Sequence, residues 1–241
     1  MLTRPSPIPA QAKEPNHSRI PHYNRETLEL SATIILENSC AGMSKKPKPI
    51  PVEQIAQKDL KLKIDYQVLS PDKSILSLMI FNKRTVRIYE GSGSKEKLLL
   101  AERGDLLIDP SLNREERELT FKRRFVIAHE IGHWFLHQSP HKPQSSLHET
   151  ISSTEFNLLE WQADYWASCL LMPRTAVRRM FEEWLYRHKL SHSYLLGLQN
   201  SQNQNHYGSG QILQKLIASV ADTFQVPVKV AAMRLYQLKL L

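Results

Sequence analysis

His129, Glu130 and His133 form an H-E-x-x-H pattern inside the run Arg124-Phe125-Val126-Ile127-Ala128-His129-Glu130-Ile131-Gly132-His133-Trp134. On a helix of about 3.6 residues per turn the two histidines lie one turn apart on one face, so both imidazoles can reach a single ion. Glu130 is too close in sequence to act comfortably as a further ligand. It is well placed to hold a water and take its proton. The pattern predicts a zinc site with a base beside it.

Such a site needs elements that hold it. Phe121, Phe125, Ala128, Gly132 and Phe135 recur at helical spacing and give the motif helix an apolar anchor, with Thr120 as the expected N-cap and Pro140 just past the end. A catalytic zinc usually takes three protein ligands, so a third must come from elsewhere. The segment Ser152 to Met172 can provide it, because Phe156, Leu159, Ala163, Ala167 and Leu170 mark a second helix. Ser152 and Glu155 form a capping-box start, and Pro173 marks its end. Glu160 and Asp164 share one face of that helix. Glu160 is the expected third metal ligand, with Glu149 and Glu155 as competitors. Asp164 then falls where it could accept a hydrogen bond from the non-ligating nitrogen of a metal-bound histidine. Ala163 and Ala167 would let the helix approach a neighbour closely.

The rest of the chain bounds the setting. Its 241 residues are 41% hydrophobic, enough for a sizeable core. The N-terminal run has prolines and charges where a signal peptide would need apolar residues, and no membrane span is expected. Cys40 and Cys169 are the only cysteines, too few for a disulfide scaffold. A cytoplasmic protein is expected. The net charge of +8 divides as +3 over residues 1–49, −1 over 50–173 and +6 over 174–241. The motif region is therefore close to neutral, which disfavours a nucleic-acid groove at the site.

In chain order, residues 1–23 read as a disordered arm, 24–198 as one domain built round the zinc motif, 199–210 as a mobile linker, and 211–241 as a helix-turn-helix-like segment packed on the domain. Arg25 to Cys40 predicts a first helix and Val52 to Lys58 a short second one. Residues 62–109 read as three to five strands: Leu62 to Tyr66, Ile75 to Phe81, Thr85 to Tyr89 and Leu106 to Ile108. The expected fold class is α+β, a small mixed or antiparallel sheet packed on a helical core, with a C-terminal helical hairpin. A strand near the motif helix could offer an edge to an extended peptide.

The motif run, followed by Glu160-Trp161-Gln162-Ala163-Asp164 and Leu170-Leu171-Met172-Pro173, resembles the ImmA/IrrE family of metallopeptidases. The resemblance implies a gluzincin-like zinc fold and helix-turn-helix repressors as typical protein substrates. Asp164 stands where that family often has Asn, and Gln162 where a second acid is common.

His137, His141, His148 and Tyr165 could assist at an oxyanion. Trp134, Trp161 and Trp166 read as core residues. In the C-terminal hairpin Lys229 and Arg234 are the basic residues a DNA reader would use, while Val230, Met233 and Leu238 need burial, so packing is favoured over DNA binding. The functional expectation is a zinc endopeptidase that cleaves a regulatory protein, with Glu130 as base. The alternative is a non-proteolytic, metal-containing regulator or sensor.

Overall fold

A computed structural model describes residues 20–90, 95–138, 153–200 and 209–241. The arm up to residue 19, Pro140, the competitor Glu149, His141, His148, the capping residue Ser152 and linker residues 201–208 lie outside them. The described residues fall into two compact units. The first takes the chain up to Ala32 and Pro51–Ala167, the second Thr33–Ile50 and Ser168–Leu241.

Asn24 caps helix α1 (Arg25–Ser39), its side-chain oxygen accepting from Thr27 N at 2.8 Å. Helix α2 (Val52–Gln54) runs straight into a π-helical turn, Ile55–Asp59, where a single helix over 52–58 was expected. Val52, Ile55 and Ala56 are fully buried there.

The strands form two sheets where one was expected. Central strand β5 (Asp105–Ile108) pairs in parallel with β1 (Lys63–Tyr66) and antiparallel with β2 (Ser77–Met79). A strand flanked on both edges and covered on both faces needs a continuous apolar run, and Leu106-Leu107-Ile108 supplies it. Strands β3 (Arg84–Glu90) and β4 (Lys95–Ala101) make a separate antiparallel pair. Strand β4 was not foreseen: Lys95-Glu96-Lys97-Leu98-Leu99-Leu100 lacks alternation, and Leu98 and Leu100 stay exposed.

Side-chain alternation sorts the three-stranded sheet. Leu107, Leu78 and Ile80 pack on Val86 and Ile88 of the two-stranded sheet. Ser77, paired with Ile108, and Met79, paired with Leu106, therefore face the opposite side, toward helix α3. Among the described residues no strand pairs with the outer edge of β2.

Helix α3 (Arg117–Leu136) carries the motif. It begins three residues before the expected cap, with Glu116 at the cap position. Thr120 lies inside the helix, its backbone N–H already donating to Glu116 O. Helix α4 (Ser153–Leu171) buries Ala163, Trp166, Ala167 and Leu170 completely, at the spacing an amphipathic helix requires. The two helices touch at Gly132, where a Cβ would meet Ala163 O at 3.2 Å and Ala163 Cα at 3.3 Å. Only two of the three motif-region tryptophans suit the expected core role. Trp166 is fully buried and Trp134 stacks on Phe81 beneath Arg103, whereas Trp161 is 37% exposed because it faces outward from α4.

In the second unit, α5 (Arg174–His188) and α6 (His192–Asn200) follow, neither of them anticipated. The signal for α5 was present in Ala176, Val177, Met180, Phe181, Trp184 and Leu185, all buried on one face. Helices α7 (Ser209–Phe224) and α8 (Val228–Gln237) meet at 105° across a short turn in which Gln225 takes φ 53. Their apolar residues Leu216, Val220, Phe224, Ala231 and Leu235 are buried. Arg234 is fully buried too, donating from Nε to Met172 O at 2.9 Å and from Nη1 to Cys169 Sγ at 3.2 Å. It is thus no surface contact for DNA, in keeping with the packing role favoured for this hairpin.

Candidate metal centre

The close approach of α3 and α4 at Gly132 and Ala163 brings Glu160 against the histidine pair. His129 Nε2 and His133 Nε2 are 2.9 Å apart; Glu160 Oε2 lies 3.4 Å from the first and Glu160 Oε1 3.3 Å from the second. These residues form a group able to hold a metal ion. Zinc bonds of about 2.0–2.2 Å at tetrahedral angles set ligand atoms roughly 3.3–3.5 Å apart. Both Glu160 separations match, and the two imidazoles need to part only slightly. Two imidazoles and a carboxylate are also the donor set that borderline-soft zinc accepts.

Around this triangle, each histidine has a partner on its other nitrogen. Asp164 Oδ1 lies 2.8 Å from His129 Nδ1, and His137 Nδ1 lies 2.8 Å from His133 Nδ1. Asp164 thus stands where the sequence placed it, whereas His137 faces a candidate ligand and not an oxyanion position. Tyr165 is buried beside Trp161 and Arg25. Glu155 lies in the first turn of α4, and Glu160, further along the helix, is the carboxylate that reaches the histidines.

Glu130 is 6% exposed and accepts a hydrogen bond from Ser77 Oγ at 2.6 Å on Oε1. Sequence reasoning missed Ser77. Its orientation follows from the β2–β5 register, which composition does not encode.

The charges of the site reinforce one another. Burial pushes the His129 imidazole down, but hydrogen bonds to Asp164 and Glu160, with the Glu130 charge, outweigh it and raise its pKa to about 10. Burial likewise pushes Glu160 up, and the hydrogen bonds from His129 and His133 overcome this to hold it below the usual carboxylate range. His137 behaves in the opposite way. Burial, with the charge of His133, pushes it down to about 3, so it is a neutral imidazole.

Two histidines one turn apart, a carboxylate from a second helix and a buried glutamate are what metal-assisted hydrolysis requires. The profile of one peptidase family, M78, described as the IrrE N-terminal-like domain, matches residues 91–236, more than half of the chain and both helices of the site. The chain belongs to this family. A search of curated proteins found no match. Membership in the IrrE N-terminal-like peptidases makes the protein a metallopeptidase with a protein substrate. The family's matched segment ends within α8, so it takes in helices α5 to α7 as well. No single helix among the described residues is long and apolar enough to cross a membrane.

Proposed function

We propose that this IrrE-like peptidase is a zinc-dependent endopeptidase, with the ion held by His129, His133 and Glu160 and with Glu130 as the catalytic base. The observation that carries the reading is the convergence of Glu160, from a separate helix, on the two histidine Nε2 atoms at 3.3 and 3.4 Å. A zinc ion bound there supplies a Lewis acid that polarises the scissile carbonyl and makes water more acidic. Glu130 takes the proton of the attacking water and hands it to the leaving amine. Its Oε1 is committed to Ser77, so Oε2 is the oxygen that does so. Asp164 holds the His129 ring with Nε2 toward the metal. The outer edge of β2, whose Ser77 touches the base, is the edge on which an extended peptide would lie.

The substrate we propose is a helix-turn-helix regulator, on the strength of the ImmA/IrrE resemblance, and the setting is the cytoplasm. The alternative of a metal-containing regulator that binds DNA through its C-terminal helices is weakened by Arg234, whose burial leaves Lys229 as the basic residue of α8 at the surface. Metal analysis of the purified protein, followed by incubation with a candidate regulator, tests the proposal. Glu130→Gln should keep one zinc per chain and lose cleavage. Cleavage by that variant at the wild-type rate would overturn the mechanism.

A further inference from the structure

His137 lies one turn beyond His133 and is aimed away from the ligand triangle. Its Nδ1 and the Nδ1 of His133 face each other at 2.8 Å. Two ring nitrogens at that distance cannot both carry a proton or both present a lone pair; one must donate and the other accept.

Which one donates is decided further out. His137 Nε2 lies 3.3 Å from Gln162 Oε1. An amide can be turned either way round, so its orientation must come from its other partner. Gln162 is fully buried, and its Nε2 lies 3.0 Å from the carbonyl oxygen of Pro21, which can only accept. Gln162 therefore donates to Pro21, and its Oε1 is left to accept from His137 Nε2–H. A neutral His137 with its proton on Nε2 presents a lone pair at Nδ1. His133 must then carry its proton on Nδ1, so Nε2 is the nitrogen left for a metal ion shared with His129 and Glu160.

We propose that Pro21, Gln162 and His137 form a relay of positioning residues that fixes the tautomer of His133 and so presets its Nε2 for the metal. The inference rests on the reading of His133 as a metal ligand. It gives the two histidines different supports: an anion, Asp164, behind His129, and a chain of neutral groups behind His133. It also gives the N-terminal segment a task. Tyr23 Oη, donating to Leu136 O at 3.4 Å, pins the same segment to the last turn of α3.

The test uses zinc itself, titrated into the full chain against a chromogenic chelator. Removing an outer-shell partner of a metal ligand typically weakens affinity about 10–100-fold. His137→Phe should show that loss. His137→Asn, whose Oδ1 can accept from His133 Nδ1–H at about the same place, should restore most of the affinity, which a merely space-filling role for His137 would not predict. In the wild-type protein, ¹⁵N NMR of labelled histidines should show His137 protonated on Nε2 alone, and Gln162→Met should produce a mixture of tautomers. Wild-type zinc affinity in His137→Phe, or a His137 proton on Nδ1, would overturn the relay. Should His137→Phe fail to fold, the tautomer measured in the wild type decides alone. His133→Ala separates the two ideas: retained affinity in that variant sinks the ligand reading, whereas its loss beside an unaffected His137→Phe sinks only the relay.

Discussion

Ser77 Oγ donates to Glu130 Oε1 at 2.6 Å, joining strand β2 to the motif helix across 53 positions of sequence. A hydrogen bond to a charged group is worth about 1.5–3 kcal/mol, or roughly 10–100-fold in a rate if it is made for the reacting geometry. Without it the carboxylate can rotate and offer either oxygen. Ser77→Ala should therefore lower kcat about 10-fold or more with KM little changed, and Ser77→Thr should recover most of the loss, since a β-branched hydroxyl suits a strand. Steady-state kinetics on a cleaved peptide checks this. An unchanged kcat in the alanine variant would remove Ser77 from the machinery.

Gly132 sets the distance between the two helices that carry His129, His133 and Glu160. Alanine there would gain about 1 kcal/mol in helix propensity, but its Cβ would meet backbone atoms of Ala163 at 3.2 and 3.3 Å and Trp166 Cε3 at 3.3 Å. Overpacking of this kind costs about 1–3 kcal/mol. Because helix backbone does not yield as a side-chain tip would, the cost should win. Gly132→Ala should lower the melting temperature and weaken zinc binding together. Calorimetry and chelator competition on the same preparation would show whether the two losses coincide.

The electrostatics of the site predict a pH dependence in protein stripped of metal. The His129 pKa is raised from 6.5 to about 10, so the stability it contributes is complete below pH 6.5 and is lost as pH rises toward 10. Glu160 is lowered from 4.5, so its contribution is complete above pH 4.5 and is lost as pH falls below that. Both are fully present between pH 4.5 and 6.5. Thermal melts should show the site's contribution greatest in that window.

Zinc must displace the extra proton of His129, so apparent affinity should climb about tenfold per pH unit between roughly 7 and 9. Asp164→Ala removes a leading cause of the raised His129 pKa. It should flatten that slope while weakening zinc about 10–100-fold at its plateau. A slope as steep in the variant as in the wild type would show that Asp164 does not hold the proton on His129.

Arg234 is the counterpart in the second unit. Arg234→Ala would leave the Met172 carbonyl without its guanidinium donor and open a void among α8, Met172 and Cys169. A loss of about 2–4 kcal/mol is expected, from the cavity and the unpaired group together. Chemical denaturation measures it. A variant as stable as the wild type would mean that the guanidinium carries no structural load.

The sequence made some of this legible and not the rest, for physical reasons. The approach of Glu160 to the two histidines could be expected, because a metal site there would need a third ligand and because Ala163, Ala167 and Leu170 announce a helix on which only certain carboxylates face the right way. Asp164 followed from the same periodicity. Ser77 could not be found: which face of β2 it occupies depends on pairing Ser77 with Ile108, a long-range register with no local signature. His137 was visible one turn beyond His133, but its role depends on Gln162 and Pro21, brought together across 141 positions. Strand β4 escaped because its leucines run consecutively and the exposed ones break the expected alternation. Helix α5 was a different failure, since its buried stripe from Ala176 to Leu185 had the right spacing all along.

The contact between Gln162 and Pro21 has a consequence for biosynthesis. A ribosome emits the chain from its N-terminus, so Pro21, Ser77 and both motif histidines are all made before Glu160, Gln162 and Asp164 exist. A nascent chain can therefore build much of the sheet, yet it lacks Glu160 and the partners Asp164 and Gln162 until α4 is released. The group of His129, His133 and Glu160 is therefore complete only once α4 has been made.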